Sequence, residues 1–245
     1  LERRPLRAAV TIGGMAVAVA IVVMGNFFRD AIDAIVDMQF NQAMRSDVSL
    51  WTTEPVDAAA ARELARLPGV LQVEASARVA VRLVHAHRSE KGSIPGQPAN
   101  ALLQRVIEVD GRLASQGLHG LAMTDRLADK LGLRPGDTVT VEVRDGRRVV
   151  RQVPLERTVR DSFGLNAYME RETLNRLLGD GDVASAFALA VERGAVPQVL
   201  EASQALPRVG GAFSKSTLLR NMEEITARNV LIMSSILTAF AAVIA

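Results

Sequence analysis

Few of the 245 residues have the types and spacing that chemistry needs. Lys215, Ser216 and Thr217, with Gly210 and Gly211 upstream, carry the residue types of a phosphate-binding loop, but Ser214 stands where that loop needs the glycine before its lysine. His85 and His87 are two apart, on one face of a strand, and with His119 they could hold a metal. Against this, a metal site wants three or four convergent ligands, and no acidic or cysteine cluster accompanies them. Asp137 ends the turn sequence Arg134-Pro135-Gly136-Asp137, where a carboxylate accepts from nearby backbone amides. Ser162 has no histidine close in sequence, which leaves a Ser-His-Asp triad to a chance of folding among three histidines. Trp51 and Tyr168 are the sole residues of their types and fit either a core or an interface. The expectation is no catalytic residue, no cofactor-binding residue and no metal ligand, hence no enzyme and no cofactor in this chain.

The elements that must position these residues are dominated by two apolar runs. Residues 8–28 are uncharged, and at about 1.5 Å per helical residue they reach about 31 Å, enough to cross a hydrocarbon core of about 30 Å. Residues 230–245 reach about 24 Å by the same arithmetic, one turn short of a span. The first run is not a signal peptide: it exceeds an h-region, the chain starts with Leu1, and no small-x-small cleavage site precedes loop composition. Helical period continues past it through Ala31, Ile32, Ile35, Met38 and Phe40, which predicts a stalk helix over 29–45. Arg3, Arg4 and Arg7 in the basic segment 1–7 put the N-terminus in the cytoplasm and the middle of the chain outside it. Gly14, Ala18 and Gly25 share one face of the first run and could pack against another helix. The formal net charge of +2 comes from arginines spread among acids, so no nucleic-acid footprint is present.

Between the runs, residues 46–213 alternate strands and helices. A strand at 47–51, a helix at 57–67 and a long strand or bent pair at 70–88 are followed, near the end, by a strand at 186–192, a helix at 196–206 and a strand at 209–213. Both helices exit through similar sequences, Leu67-Pro68-Gly69-Val70 and Leu206-Pro207-Arg208-Val209. This predicts an α+β domain of split, ferredoxin-like strand-helix-strand units around an inserted small β module at about 105–165. Within the insert, Thr124 caps a helix closed by Gly132, and residues 137–143 and 148–155 form a hairpin about Asp145-Gly146. Residues 87–100, rich in Gly, Pro and Ser, read as a mobile loop and a candidate partner surface. Residues 214–229 predict a second stalk, with Glu224 and Arg228 one turn apart.

The stretch GLAMTDRLADKLGLRPGDTVTVEV resembles a segment of FtsX-like (MacB-type) ABC transporter permeases, a helix ending in A-x-x-LG-x-x-x-GD that leads into a strand. RRPLRAAVTIGGMAVAVAIVVMG is similar to the entry of their first membrane helix, and the order span, outer domain, span covers the whole chain. The resemblance implies a fragment: transmembrane helix 1, the extracytoplasmic domain and a truncated transmembrane helix 2 of a permease, or of one of two repeated halves, in a bacterial inner membrane. It further implies a separate ABC ATPase subunit that hydrolyses ATP, a second permease subunit or half, contact with membrane lipid, an extracytoplasmic partner protein, and transmission of motion to the outer domain for export or extraction of lipid, lipoprotein or peptide-like cargo. The alternatives are the sensor domain of a two-span receptor and an anchored extracytoplasmic enzyme.

Overall fold

Residues 44–106, 119–146, 148–160 and 164–222 are described in a computed structural model, together with scattered positions between 12 and 43 and at 224, 225 and 228. The chain divides into two units, Leu1–Ala43 and Met44–Ala245. In the first, the described positions from 12 to 36 are α-helical, and Ile12, Val19, Val23, Met24 and Phe27 are 61 to 70% exposed. Among the described residues no helix is long and apolar enough to cross a membrane. The apolar run 230–245 lies outside the described residues, and 8–28 lies partly outside them.

The second unit runs β1 (Val48–Asp57), α1 (Ala60–Leu64), β2 (Val70–His85), β3 (Arg88–Gln97), β4 (Leu121–Thr124), α2 (Asp125–Leu131), β5 (Thr138–Val143), β6 (Val150–Val159), β7 (Ala167–Glu170), α3 (Arg171–Leu178), β8 (Val183–Val191), α4 (Val196–Gln204) and β9 (Val209–Ser214). Its first part is an antiparallel sheet in the order β2-β8-β1-β9. Strands β1 and β2, joined through α1, are parallel with β8 between them. Strands β8 and β9, joined through α4, are parallel with β1 between them. Two split strand-helix-strand units thus interlock in one sheet. Val48 and Leu50 of β1, and Phe187, Leu189 and Val191 of β8, point to the face on which Leu64 of α1 and Val199 of α4 pack. The apolar positions recur every second residue on the strands, which turns them to one side of the pleat.

The second part is a closed ring of six strands, β2-β3-β7-β4-β6-β5 and back to β2. It closes because β2 is long enough to serve twice. Val70–Ser76 pairs with β8, whereas Ala77–His85 pairs with β3 and Val81–Val84 also with β5. Val79, Val81 and Leu83 alternate into the ring, where Ile94, Leu121, Met123, Val139, Val141 and Leu155 meet them. Leu127 and Leu131 of α2 and Leu174 of α3 complete this core. The helix α2 ends as its sequence predicts, with Gly132 at φ +70, while Thr124 at its start makes no side-chain cap bond.

Residues 87–100 are the main departure from expectation. They are not a loop: Arg88–Gln97 is β3, laddered along its length to β2 from His85↔Arg88 to Ala77↔Gly96. One of the small residues that read as loop, Gly96, is required by close packing. A Cβ on Gly96 would lie 2.7 Å from Leu174 Cδ2 and 3.1 Å from Arg171 Cα, so α3 sits directly on the strand there. The ring consequently extends beyond 105–165, drawing on β2, β3 and β7 at either side.

Candidate functional site

Each residue with apparent chemical potential has a structural setting where it is described. Ser214 Oγ accepts from Thr217 N–H at 3.2 Å and lies 2.8 Å from Thr217 Oγ1, so it caps the helix beginning at residue 215. Gly210 and Gly211 lie in β9 under other side chains, with a Cβ on Gly211 meeting Trp51 Cζ2 at 2.1 Å. His85 Nδ1 is 3.1 Å from the Leu131 carbonyl oxygen, at the end of α2, while His87 and His119 are exposed. Among the described residues no group of three or more His, Cys, Asp and Glu is placed to hold a metal. Asp137 Oδ2 accepts from Arg134 N–H at 2.7 Å, the turn bond its position predicts. Tyr168 packs with Val106, Ala122 and Val159. Ser162, Arg3, Arg4, Arg7 and Ala18 lie outside the described residues. A Cβ added at Gly14 or Gly25 would meet nothing within 4 Å among the described residues.

Two features stand out that residue types did not disclose. One is the junction where the chain enters and leaves the open sheet of the second unit. Val48 pairs with Ser214, and Lys215 N–H donates to the Asp47 carbonyl oxygen at 2.8 Å, so entrance and exit are neighbours at one end of the sheet. Asp47 ties the entrance to β8 as well: its N–H donates to Leu189 O and its Oδ2 accepts from Val191 N–H, both at 2.8 Å. Ser46 and Ser214 are 0% and 3% exposed beside it. Glu74 of β2 takes Leu102 N–H and Leu103 N–H on its two oxygens, at 2.6 and 3.0 Å, and Leu103 O in turn accepts from Arg45 N–H at 2.8 Å. Charge-assisted bonds to backbone amides are stronger than neutral ones, which makes this a firm joint.

The other feature is a cleft of about 930 Å³ where β2 passes from the sheet into the ring, bordered by Trp51, Ser76, Arg78, Gln97, Asn175 and Phe213. Beside it β1 is irregular between Trp51 and Val56, where its register with β8 shifts. Trp51 is 45% exposed; its indole lies over Gly211 and 5.9 Å from the Phe213 ring, tilted by 44°. Asn175 is 3% exposed, and its Nδ2 donates to Val183 O at 2.9 Å. The Asn175 Oδ1 and Gln97 Oε1 atoms are buried without a hydrogen-bond partner among the described residues. Polar side chains spread over α3, β3 and β1 leave no local motif, so the sequence carried no signal for this cleft beyond a lone tryptophan.

No family model and no curated protein matches the sequence. Solved structures similar to it include domains of two ABC-type transporters. The extracellular domain of the noncanonical ABC-type transporter YknZ from Gram-positive bacteria has 16% identity and a TM-score of 0.47, over 66% of this chain and 92% of that one. The periplasmic region of MacB from Actinobacillus actinomycetemcomitans has 13% identity and a TM-score of 0.47, over 74% of this chain and 94% of that one.

Proposed function

We propose that the chain is part of a permease subunit of an ABC transporter in a bacterial inner membrane, with Met44–Ser214 outside the cytoplasm and residues 8–28 and 230–245 as its spans. The observation that carries this reading is the neighbouring of entrance and exit. Val48 lies opposite Ser214 in a ladder whose strands are about 4.8 Å apart, so the segments leading to the two apolar runs depart from one spot. Two spans entering one bilayer from one folded domain are served by that arrangement. The permease motifs at the first run and around Gly132 favour this use of it over a receptor's.

The joint also supplies a mechanism. A separate ATPase closes on the cytoplasmic side and displaces the spans. The capped helix beyond Ser214 and the entrance at Ser46-Asp47 are hydrogen-bonded to each other and to β8, so a displacement of either loads β1, β8 and β9 together. The sheet moves as a unit against cargo of lipid, lipoprotein or peptide type, with a second permease subunit or half completing the assembly.

The test is to co-express the full-length parent protein with its neighbouring ABC ATPase, purify through a tag on the former, and measure ATP turnover in lipid. Stable co-purification with turnover that depends on this chain is the expected result. Recovery of a kinase or receiver protein in place of an ATPase would overturn the reading in favour of a two-span receptor.

A further inference from the structure

We infer that the free edge of β9 docks an extended peptide segment of a partner protein, apolar along its middle and acidic at its ends, which adds a strand beside Val209–Ser214. The main chain comes first. Among the described residues β9 pairs with β1 alone. Lys215 N–H donates to Asp47 O on that side, and in an antiparallel ladder alternate residues turn the same way. Ala212 therefore turns its N–H and C=O, and Ser214 its N–H, to the free side. Residues 209–213 are all at least partly exposed. An edge of this kind is a template for another strand, which proteins ordinarily blunt with charge or proline. The six residues of β9, Val-Gly-Gly-Ala-Phe-Ser, include neither.

The surrounding side chains set the chemistry of the added strand. Trp51 and Phe213 stand on the face that the helices leave open, with ring centroids 5.9 Å apart. The Trp51 indole lies across Gly211, where a Cβ would meet Cζ2 at 2.1 Å, so it reaches from β1 over the edge strand itself. A strand laid beside β9 brings every second side chain to this face, and apolar ones meet Phe213 and the rim of the indole. Charge sets the ends. Arg208 and Lys215 flank β9, and neither has an ion-pair partner among the described residues. Opposite charges across a ladder attract, so acidic residues at the two ends of the segment complement them. A second copy of this chain fits worse. Antiparallel pairing of two β9 edges would set Arg208 of each beside Lys215 of the other, like against like. Six residues a side also meet along only about 20 Å, a short seam for a stable dimer.

Trp51 is the only tryptophan, so its emission in the full chain, held in detergent without any ATPase, reports this edge. The probe is the acetylated and amidated peptide EVTVTVE. Its controls are KVTVTVK and an EVTVTVE N-methylated at each valine and threonine, which keeps the side chains and loses the main-chain donors. The expected result is a saturable change with EVTVTVE, binding about fivefold weaker with KVTVTVK at low salt, and none with the N-methylated form. Ala212→Pro removes the outward N–H while keeping the ladder to β1, and should weaken binding at least about tenfold with the unliganded emission unchanged. Should that variant fail to fold, hydrogen exchange in the unaltered chain carries the test: the Ala212 and Ser214 amides exchange fast in the free chain and slowly once EVTVTVE is added. No saturable response, equal binding of the N-methylated peptide, equal or tighter binding of KVTVTVK, or undiminished affinity in folded Ala212→Pro overturns the proposal. So does slow exchange at Ala212 in the free chain. Slow at every protein concentration, it means that another segment of this chain covers the edge; slow only at high concentration, that a second copy does. The titration needs no ATPase, so its failure leaves the permease reading untouched, and the reverse.

Discussion

The ring and the sheet are joined through one strand yet solve the problem of exposed backbone in opposite ways. The ring closes on itself, so β3, β4, β5, β6 and β7 are each paired on both sides and its interior is filled by aliphatic side chains. The sheet stays open. Among the described residues β9 and the first part of β2 are edges paired on one side only, and helices cover only one of the sheet's faces, while the other carries Ser49, Trp51, Glu74 and Ser76. Closure makes the ring a poor place to move anything. Openness leaves the sheet with the chain's entrance and exit, and with a cleft walled on one side by the ring. The rigid part therefore frames, and the open part is connected.

This contrast is broken most directly by removing a ring side chain. Leu155 is 0% exposed, and Leu155→Ala should destabilise the full chain by about 3 kcal/mol through lost transfer energy and the cavity left behind. Chemical denaturation followed by far-UV circular dichroism measures it. A loss below about 1 kcal/mol would mean that the ring relaxes around the deletion and is not the rigid partner. Gly96→Ala tests the same idea by overfilling. The new methyl meets Leu174 Cδ2 at 2.7 Å and the Arg171 backbone at 3.1 Å, so α3 must lift, for an expected cost of about 2 kcal/mol. Because α3 carries Asn175, emission from Trp51 should shift in the folded variant as the cleft wall moves. An unshifted spectrum would show that helix and cleft are independent.

Gly96 also marks where sequence reasoning reached its limit. The split strand-helix-strand order could be read because it is local: Val48 and Leu50, or Val79, Val81 and Leu83, alternate within a few residues. The hairpin around Asp145-Gly146 and the end of α2 at Gly132 could be read for the same reason, each set by two or three neighbours. Strand β3 could not. Its Gly92, Ser93, Pro95 and Gly96 are turn-formers by propensity, and the requirement for a glycine at 96 comes from α3, which is about 75 residues later. The ring was hidden behind that misreading, since five strands without β3 do not close. The joint and the cleft lie further still from local signal. Asp47 binds Val191 and Glu74 binds Leu102 and Leu103, and nothing at either acid's own position announces its distant amide.

The joint invites subtler perturbation. Asp47→Ala leaves Val191 N–H without its acceptor and should cost about 1–2 kcal/mol, whereas Asp47→Asn keeps an oxygen in place and should cost about half as much. Chemical denaturation of the two variants measures both. If the joint transmits motion, Asp47→Ala also lowers transport more than it lowers ATP turnover in the assembled complex. Equal losses of both would reduce Asp47 to a stabilising residue of the open sheet.

The smallest effect separates the two readings of Ser214-Lys215-Ser216-Thr217. As the cap of the exit helix, Ser214 tolerates replacement in a particular order. Ser214→Ala loses the bond to Thr217 N–H and should cost about 1 kcal/mol, Ser214→Gly only a few tenths, and Ser214→Asp close to nothing, because a carboxylate caps as well and favours a helix N-terminus. A phosphate loop orders them differently. There glycine would be the improvement, and an aspartate would repel the ligand. Thermal unfolding with and without phosphate decides between these orders: an alanine-worst series indifferent to phosphate fits a cap, and any phosphate-dependent gain in Ser214→Gly refutes it. The open sheet would then hold a site at its exit in place of a mechanical coupling, and the division between framing ring and connected sheet would need redrawing.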